Sequence, residues 1–154
     1  MGPEMPIFFY LAGMRMLVFL MVLASGHLRA QVFENAEEAF QSSTRSQKPI
    51  LLVFSGSDWC APCIRVQKTV LSDAGFQHYA ADHLILLKAD FPQRKKLDQW
   101  LIGQNERLAE TYNPRGQFPH IVLLRPDRTL LATLTFKDQR PEEFISQLSL
   151  YFAE

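Results

Sequence analysis

The stretch ILLVFSGSDWCAPC, residues 50–63, decides the fold of this chain. Its five consecutive apolar residues, 50–54, lie between Pro49 and Ser55-Gly56, so the run is too short for a helix and apolar on both faces. A strand that is buried on both faces of a parallel sheet has this pattern. The stretch therefore predicts a central β-strand, a short polar turn and a helix that begins at the two cysteines.

Outward from this stretch, helical and extended patterns alternate through the rest of the chain. Apolar residues at helical spacing predict a first helix over residues 33–45 and a continuation of the cysteine helix to Leu71. The later patterns predict, in order, a short helical piece over 74–81, strands over 84–88 and 121–124 with a helix over 97–112 between them, an outer strand over 129–136 and a last helix opened by Pro141. The order α-β-α-β-α-β-β-α predicts an α/β fold, a three-layer sandwich with a central mixed β-sheet flanked by helices.

Residues 1–30 differ from the rest of the chain. The apolar run 16–24 follows Arg15, and the small residue Ala30 follows a more polar stretch, which is the arrangement of a secretory signal peptide cleaved near Ala30. An uncleaved membrane anchor is the alternative, although it would place Arg15 near the middle of the span, where a charge is costly. In both cases we expect one domain, residues 31–154, outside the cytoplasm. Cleavage would leave it in the periplasm or secreted, and the uncleaved segment would anchor it to the membrane.

Charge and length limit the classes of function. The formal net charge is zero and the isoelectric point is near 6.9, which argues against a nucleic-acid partner because such proteins carry a concentrated basic face. A chain of 154 residues with 47% hydrophobic content supports one well-packed domain.

Cys60 and Cys63 are the only cysteines of the sequence. A structural disulfide is the simplest interpretation in an exported protein, but a bridge that closes so small a loop removes little chain entropy. A sulfur directly before a helix lies beside unpaired backbone N–H groups and the positive end of the helix dipole, which stabilise a thiolate. Cys63, one turn further, can attack a mixed disulfide formed at Cys60. The pair therefore predicts thiol–disulfide exchange.

Two residues beside the cysteines are candidates for shaping the site. Pro62 lacks a backbone N–H and has a preset φ, so it suits the first turn of the helix. Trp59 is expected either to cover the sulfurs and exclude water or to pack as a core aromatic.

A second candidate element, Phe118-Pro119-His120, directly precedes the third predicted strand. Proline is found in sheets at strand starts, at edges or in special turns. A cis Phe118–Pro119 bond would be one such turn, and the pattern leaves the cis and trans forms open.

The segment Trp59-Cys60-Ala61-Pro62-Cys63 after an apolar strand, with Gly116-Gln117-Phe118-Pro119 before a later strand, resembles the thioredoxin superfamily over about residues 33–152. The residues before the motif resemble exported bacterial thioredoxin-like proteins more than cytoplasmic thioredoxin. The resemblance implies that Cys60 is the nucleophile, that Cys63 is the resolving cysteine, and that their disulfide is the only redox group needed. It also implies that Pro119 is cis, faces the sulfurs and presents backbone with which a substrate pairs as an added strand.

Three departures from the thioredoxin pattern stand out. Val53 and Phe54 occupy the strand positions where thioredoxins usually carry a buried acid, so that role is vacant or filled elsewhere. His120 replaces the usual threonine and is expected either to stabilise the thiolate or to be a surface residue at a strand start. The segment 90–104 is longer and more charged than in thioredoxin and is a candidate specificity loop.

These observations together predict an extracytoplasmic thiol–disulfide oxidoreductase that reduces protein disulfides, with no metal and no nucleic acid. We expect a monomer recharged by a membrane electron-transfer reductase, because spontaneous reduction is unavailable outside the cell. One alternative is a copper or zinc carrier that uses Cys60, Cys63 and His120, since two thiolates suit Cu(I). The other is a redox-inactive adaptor with the same fold.

Overall fold

The computed structural model describes residues 29–152. The segment predicted as a signal peptide or anchor lies outside this range, apart from its last two positions, Arg29 and Ala30. Within residues 29–152 no helix is both long enough and apolar enough to cross a membrane.

A five-stranded mixed sheet forms the middle layer of the fold. Its strands are β1 (Val32–Phe33), β2 (Ile50–Ser55), β3 (Ile85–Asp90), β4 (His120–Leu124) and β5 (Leu130–Leu134). The spatial order is β1-β3-β2-β4-β5, with β1, β3 and β2 parallel, β4 antiparallel to β2, and β5 antiparallel to β4. The predicted central mixed sheet is confirmed.

Within residues 29–152, five α-helices pack on the two faces of the sheet. They are α1 (Ala36–Ser46), α2 (Ala61–Val66), α3 (Ala74–His83), α4 (Gln99–Tyr112) and α5 (Pro141–Ser149). Helices α1 and α4 contribute to the apolar cluster on one face, and α2, α3 and α5 contribute to the cluster on the other. The α/β three-layer sandwich predicted from the sequence is therefore confirmed.

Strand β2 links the two halves of the core. All six of its residues are buried, as the uninterrupted apolar run predicted. Leu51 and Val53 belong to the cluster with α2, α3 and α5, whereas Leu52 and Phe54 belong to the cluster with α1 and α4. This division follows from the alternation of side chains along a strand.

The prediction of a helix from residue 33 was wrong at its start. Phe33 lies in β1, opposite Leu87 of β3, and its side chain is buried. Helix α1 begins only at Ala36, because the Asn35 side chain accepts the backbone N–H groups of Glu37 and Glu38 and caps the helix. Phe33 fits the helical spacing in the sequence only because it is a buried strand residue that lies close to the start of the helix.

The predicted single helix from the cysteines to Leu71 is two segments. Helix α2 ends at Val66, and a π-helical segment, Gln67–Leu71, follows it directly. At the end of this segment the Ser72 N–H donates to the Gln67 carbonyl. Apolar periodicity does not distinguish the two forms over so short a length, since both bury Val70 and Leu71.

The packing of α5 can be tested by truncating its central aromatic residue. Phe144 is fully buried, with its ring centroid 6.0 Å from that of Phe76 on α3. We expect Phe144→Ala to lower the free energy of unfolding by about 3–5 kcal/mol, measured by urea denaturation of the oxidised protein. The matched control is Tyr151→Ala, which removes a 39% exposed ring and should change stability by less than about 0.5 kcal/mol. Equal effects of the two substitutions would contradict the docking of α5.

Candidate functional site

The turn between β2 and α2 places both cysteines at one edge of the sheet. Cys60 is the N-cap of α2; its backbone N–H donates to the Gly56 carbonyl at 2.9 Å, and its Sγ accepts the Cys63 N–H at 3.3 Å. The two cysteines form a disulfide with a Cα–Cα distance of 5.2 Å. Only 5% of Cys60 and 1% of Cys63 is exposed, so Cys60 is the more accessible of the two cysteines. Pro62 lies in the first turn of α2, as predicted.

Trp59 lies at the surface beside the disulfide and is not a core aromatic. Its indole covers Gly56 so closely that a Cβ at that position would clash with the Trp59 ring, which explains the glycine. The ring is 40% exposed, and its Nε1–H donates to the Phe91 carbonyl at 2.7 Å. An edge-to-face contact of 5.5 Å between ring centroids joins Trp59 to Phe118.

The loop before β4 brings Pro119 to the same edge. The Phe118–Pro119 peptide bond is cis, as the resemblance implied. His120 pairs with Phe54 in the sheet register, so the proline lies beside the end of β2, where the cysteine turn begins. Buried Asn113 supports this loop, because its side chain donates to the Gln117 carbonyl at 2.9 Å and accepts the Gln117 N–H at 3.0 Å.

His120 is held by the face of the sheet that carries α1 and α4. Its Nε2 lies 3.1 Å from the Tyr112 carbonyl at the end of α4, and its ring centroid lies 5.9 Å from that of Phe54. These contacts orient the ring toward α4, whereas Cys63 belongs to α2 on the opposite face. Among residues 29–152, no group of three or more His, Cys, Asp or Glu side chains is arranged to hold a metal ion.

Asp90 was not singled out by the sequence, yet it is the one buried carboxylate among the described residues. It ends β3, and its side chain accepts both the backbone N–H of Ser57, at 3.0 Å, and the Ser57 hydroxyl. The ammonium group of Lys88 lies 3.7 Å from the same carboxylate. Val53 and Phe54 are buried and apolar, so the acid at this edge comes from the neighbouring strand and holds the cysteine turn.

Asp58 is a second carboxylate that the sequence reasoning missed. It accepts the backbone N–H groups of Gln93, Arg94 and Lys95 at 2.9, 2.7 and 3.0 Å. These bonds, led by those from Gln93 and Lys95, hold the pKa of the carboxyl group below its ordinary value, because they favour the charged form. Asp58, next to Trp59, thus ties the predicted specificity loop to the cysteine turn.

The sequence and the structure of the chain are similar to those of known proteins. The model of a family described as thioredoxin-like matches residues 31–126. The chain is 33% identical over 116 residues to the disulfide bond reductase DsbH of Chlamydia pneumoniae, covering 75% of this chain and 69% of that protein. A solved structure of a DsbH oxidoreductase superposes with a TM-score of 0.75 at 30% identity, covering 80% of this chain and 84% of that one. The thioredoxin-related protein DsbJ of C. pneumoniae is 27% identical over 88 residues, 57% of this chain and 25% of its own length.

The Asp58 bonds predict a linked titration. Because its pKa is lowered in the folded protein, the three bonds are fully present at neutral pH and are lost as the pH falls through this lowered value. We therefore expect the backbone amide resonances of residues 93–95 to shift together, with one midpoint below about 3.9, the pKa of an unperturbed aspartate. Two-dimensional NMR of labelled protein measures this midpoint.

Asp58→Asn should abolish this titration. It should leave intact the separate acid titration of the Thr129 amide, which is bonded to Asp127. A midpoint at or above the unperturbed value would show that the ionised carboxylate does not hold the loop.

Proposed function

The chain belongs to the thioredoxin-like family and is a protein-disulfide oxidoreductase, and we propose that it works outside the cytoplasm as a reductase of protein disulfides. The observation that carries this proposal is the Cys60–Cys63 pair at the start of α2, beside exposed Trp59 and the cis-proline loop. The similarity to a protein named as a disulfide bond reductase supports the reducing direction.

The reaction begins with the dithiol form of the protein. The Cys60 thiolate attacks one sulfur of the substrate disulfide, the substrate S–S bond breaks, and the other substrate sulfur leaves as a thiolate that takes up a proton. Cys63 then loses its proton and attacks the sulfur of Cys60, which expels the second substrate thiolate. Two electrons have passed to the substrate, and the protein is left with the Cys60–Cys63 disulfide.

The local geometry supports Cys60 as the nucleophile. As the N-cap of α2, its sulfur already accepts the Cys63 N–H at 3.3 Å, and this bond becomes stronger when the sulfur carries a negative charge. Cys63 lies one turn inside the helix and is almost fully buried, so it reacts with the neighbouring sulfur rather than with a second protein.

Pro119 and its neighbours provide the docking surface for the substrate in this proposal. The loop lies at the sheet edge that carries the disulfide, and a substrate strand pairs with its backbone while the two sulfurs react. Trp59 and Phe118 contact each other there and shield the reacting sulfurs from water. His120 has a positioning role, because its contacts with Tyr112 and Phe54 hold the residue that follows the proline.

A reductase outside the cytoplasm needs a continuous supply of electrons. We assign this supply to a membrane electron-transfer protein with its own dithiol, which attacks the Cys60–Cys63 disulfide and is itself oxidised. The signal-like residues 1–30 support the location, with a cleavage near Ala30 or an uncleaved anchor, and a monomer exposes the edge that both partners use.

The direction of electron flow predicts the reduction potential. We expect the Cys60–Cys63 pair to have a reduction potential of about −250 mV or lower, since proteins with such pairs span roughly −270 mV for reductants to −120 mV for oxidants. Equilibration with glutathione or dithiothreitol buffers measures this value. The Cys63→Ser variant cannot form the intramolecular disulfide, so it shows how much mixed disulfide forms with the buffer thiol. A potential of about −130 mV would make the protein a disulfide donor.

The assignment of the two cysteines predicts an asymmetric pair of variants. Cys63→Ser should accumulate a mixed disulfide between Cys60 and a protein substrate, because the resolving attack is lost. Cys60→Ser should form no such adduct and should lose all reductase activity. Non-reducing electrophoresis and mass spectrometry of the adduct distinguish the two variants. If Cys63→Ser traps no substrate and the wild-type protein reduces none, the redox-inactive adaptor is supported instead.

A further inference from the structure

We propose that Asp90 is a positioning residue for the nucleophilic cysteine, because its buried carboxylate holds the turn that places the Cys60 sulfur at the start of α2. This inference rests on the proposed function, in which Cys60 is the nucleophile, and adds a residue that sets the reactivity of that cysteine. Asp90 acts through Ser57, which lies three positions before Cys60 in the chain.

The end of β3 is a firm anchor for this carboxylate. Asp90 pairs with Ser55 in the sheet register, and its carbonyl accepts the side-chain N–H of buried Asn105 at 2.9 Å. Directly after it, the Phe91 N–H donates to the Ser55 carbonyl at 2.8 Å. Only 8% of Asp90 is exposed, so the residue is part of the packed edge of the sheet.

Both oxygens of the carboxylate are bonded to Ser57. Asp90 Oδ1 accepts the backbone N–H of Ser57 at 3.0 Å, and Oδ2 accepts the Ser57 hydroxyl. Hydrogen bonds to an ionised acceptor are roughly twice as strong as those between neutral groups. Because one bond holds the backbone and the other holds the side chain, Ser57 cannot shift without weakening both.

The turn beyond Ser57 is short and closed by its own hydrogen bonds. The Gly56 carbonyl accepts the Cys60 N–H at 2.9 Å and the Trp59 N–H at 3.3 Å, so the position of Ser57 determines how the chain enters α2. Cys60 has φ −85° and ψ 100°, and its Sγ lies 3.3 Å from the Cys63 backbone nitrogen. That N–H and the helix dipole stabilise a thiolate, which is the attacking species.

The bonds made by Asp58 and Trp59 give the turn a less firm support. They join it to the backbone of residues 91–95, of which residues 93–95 are exposed. A segment with little packing around it can move together with the turn. The Asp90 bonds instead join the turn to the end of a buried strand, so they fix where the sulfur lies.

The charge of Asp90 acts in the opposite direction from its hydrogen bonds. A negative charge disfavours a thiolate nearby, and the Lys88 ammonium group, 3.7 Å from the carboxylate, offsets part of that charge. Loss of the charge alone should therefore make Cys60 more reactive. Loss of the bonds to Ser57 should make it less reactive, and the opposite signs allow the two effects to be separated.

Alkylation of the pre-reduced full chain measures the reactivity of Cys60. The thiolate displaces iodide from iodoacetamide and forms a C–S bond, and mass spectrometry follows the adduct at neutral pH. We expect Asp90→Ala to lower the second-order rate constant about fivefold, the factor that corresponds to a typical helix N-cap contribution. Ser57→Ala removes only the hydroxyl bond and should lower the rate constant less. Asp90→Asn keeps a side chain that can bond to Ser57 and should react at least as fast as the wild type.

Asp127→Ala is the matched control. The Asp127 carboxylate accepts the backbone N–H and the hydroxyl of Thr129, which are bonds of the same two kinds, in the turn after the far end of β4. This variant removes the same charge and should alkylate at the wild-type rate, whereas equal slowing would show that the effect is not local to the cysteine turn. Urea denaturation of each reduced variant shows that it is folded in the assay.

The outcomes separate this inference from the proposed function. If wild-type Cys60 reacts no faster than free cysteine, its assignment as the nucleophile is contradicted, and the proposed function with it. If the wild type is reactive and Asp90→Ala and Ser57→Ala match it, Asp90 does not position Cys60 and the reductase function stands.

Two further results decide between the bonds and the charge. Faster alkylation of both Asp90→Ala and Asp90→Asn would assign the effect to the charge of Asp90 and overturn the positioning role. If Asp90→Ala does not fold, Ser57→Ala carries the test: slower alkylation beside an unslowed Asp90→Asn supports the role, and an unchanged rate contradicts it.

Discussion

The end of strand β2 is the constraint on which the whole site depends. This strand is buried on both faces and paired on both edges, so its position is fixed by the core. Its last residues pair with Asp90 at the end of β3 and with His120 at the start of β4. The chain leaves β2 at the same edge where β3 ends and β4 begins, and three separate loops meet there.

Side-chain acceptors hold those loops where the sheet ladder stops. Backbone N–H groups that are shielded from water need partners, and regular pairing no longer supplies them beyond the strand ends. Asp90 serves the cysteine turn, Asp58 serves the segment after β3, and Asn113 serves the loop before β4. Each of the three loops is therefore positioned by one short polar side chain from a neighbouring segment.

The sequence was sufficient for the elements whose signals are local. The continuous apolar run of β2 and the cysteine spacing each predicted what the structure contains. The cis form of Pro119 came from the resemblance, since a proline before a strand fits more than one backbone geometry.

What the sequence could not provide depends on contacts between distant residues. The spacing of Phe33 fits a helix, and only its pairing with Leu87 makes it a strand residue. The partners of Asp58 lie more than thirty positions along the chain, and no local pattern distinguishes such a carboxylate from an ordinary surface acid. The sequence offered one signal for this contact, the charged segment after β3, because a segment of this kind becomes ordered only when another part of the chain binds it.

The near-complete burial of the disulfide has a consequence for how the protein serves two partners. Both sulfurs lie at one end of α2, with Cys60 the more accessible of the two. In the proposed reaction the protein to be reduced and the electron donor would therefore use the same opening in turn, as two binary encounters without a ternary complex. The relative abundance of the two partners would then decide which oxidation state the protein spends most of its time in.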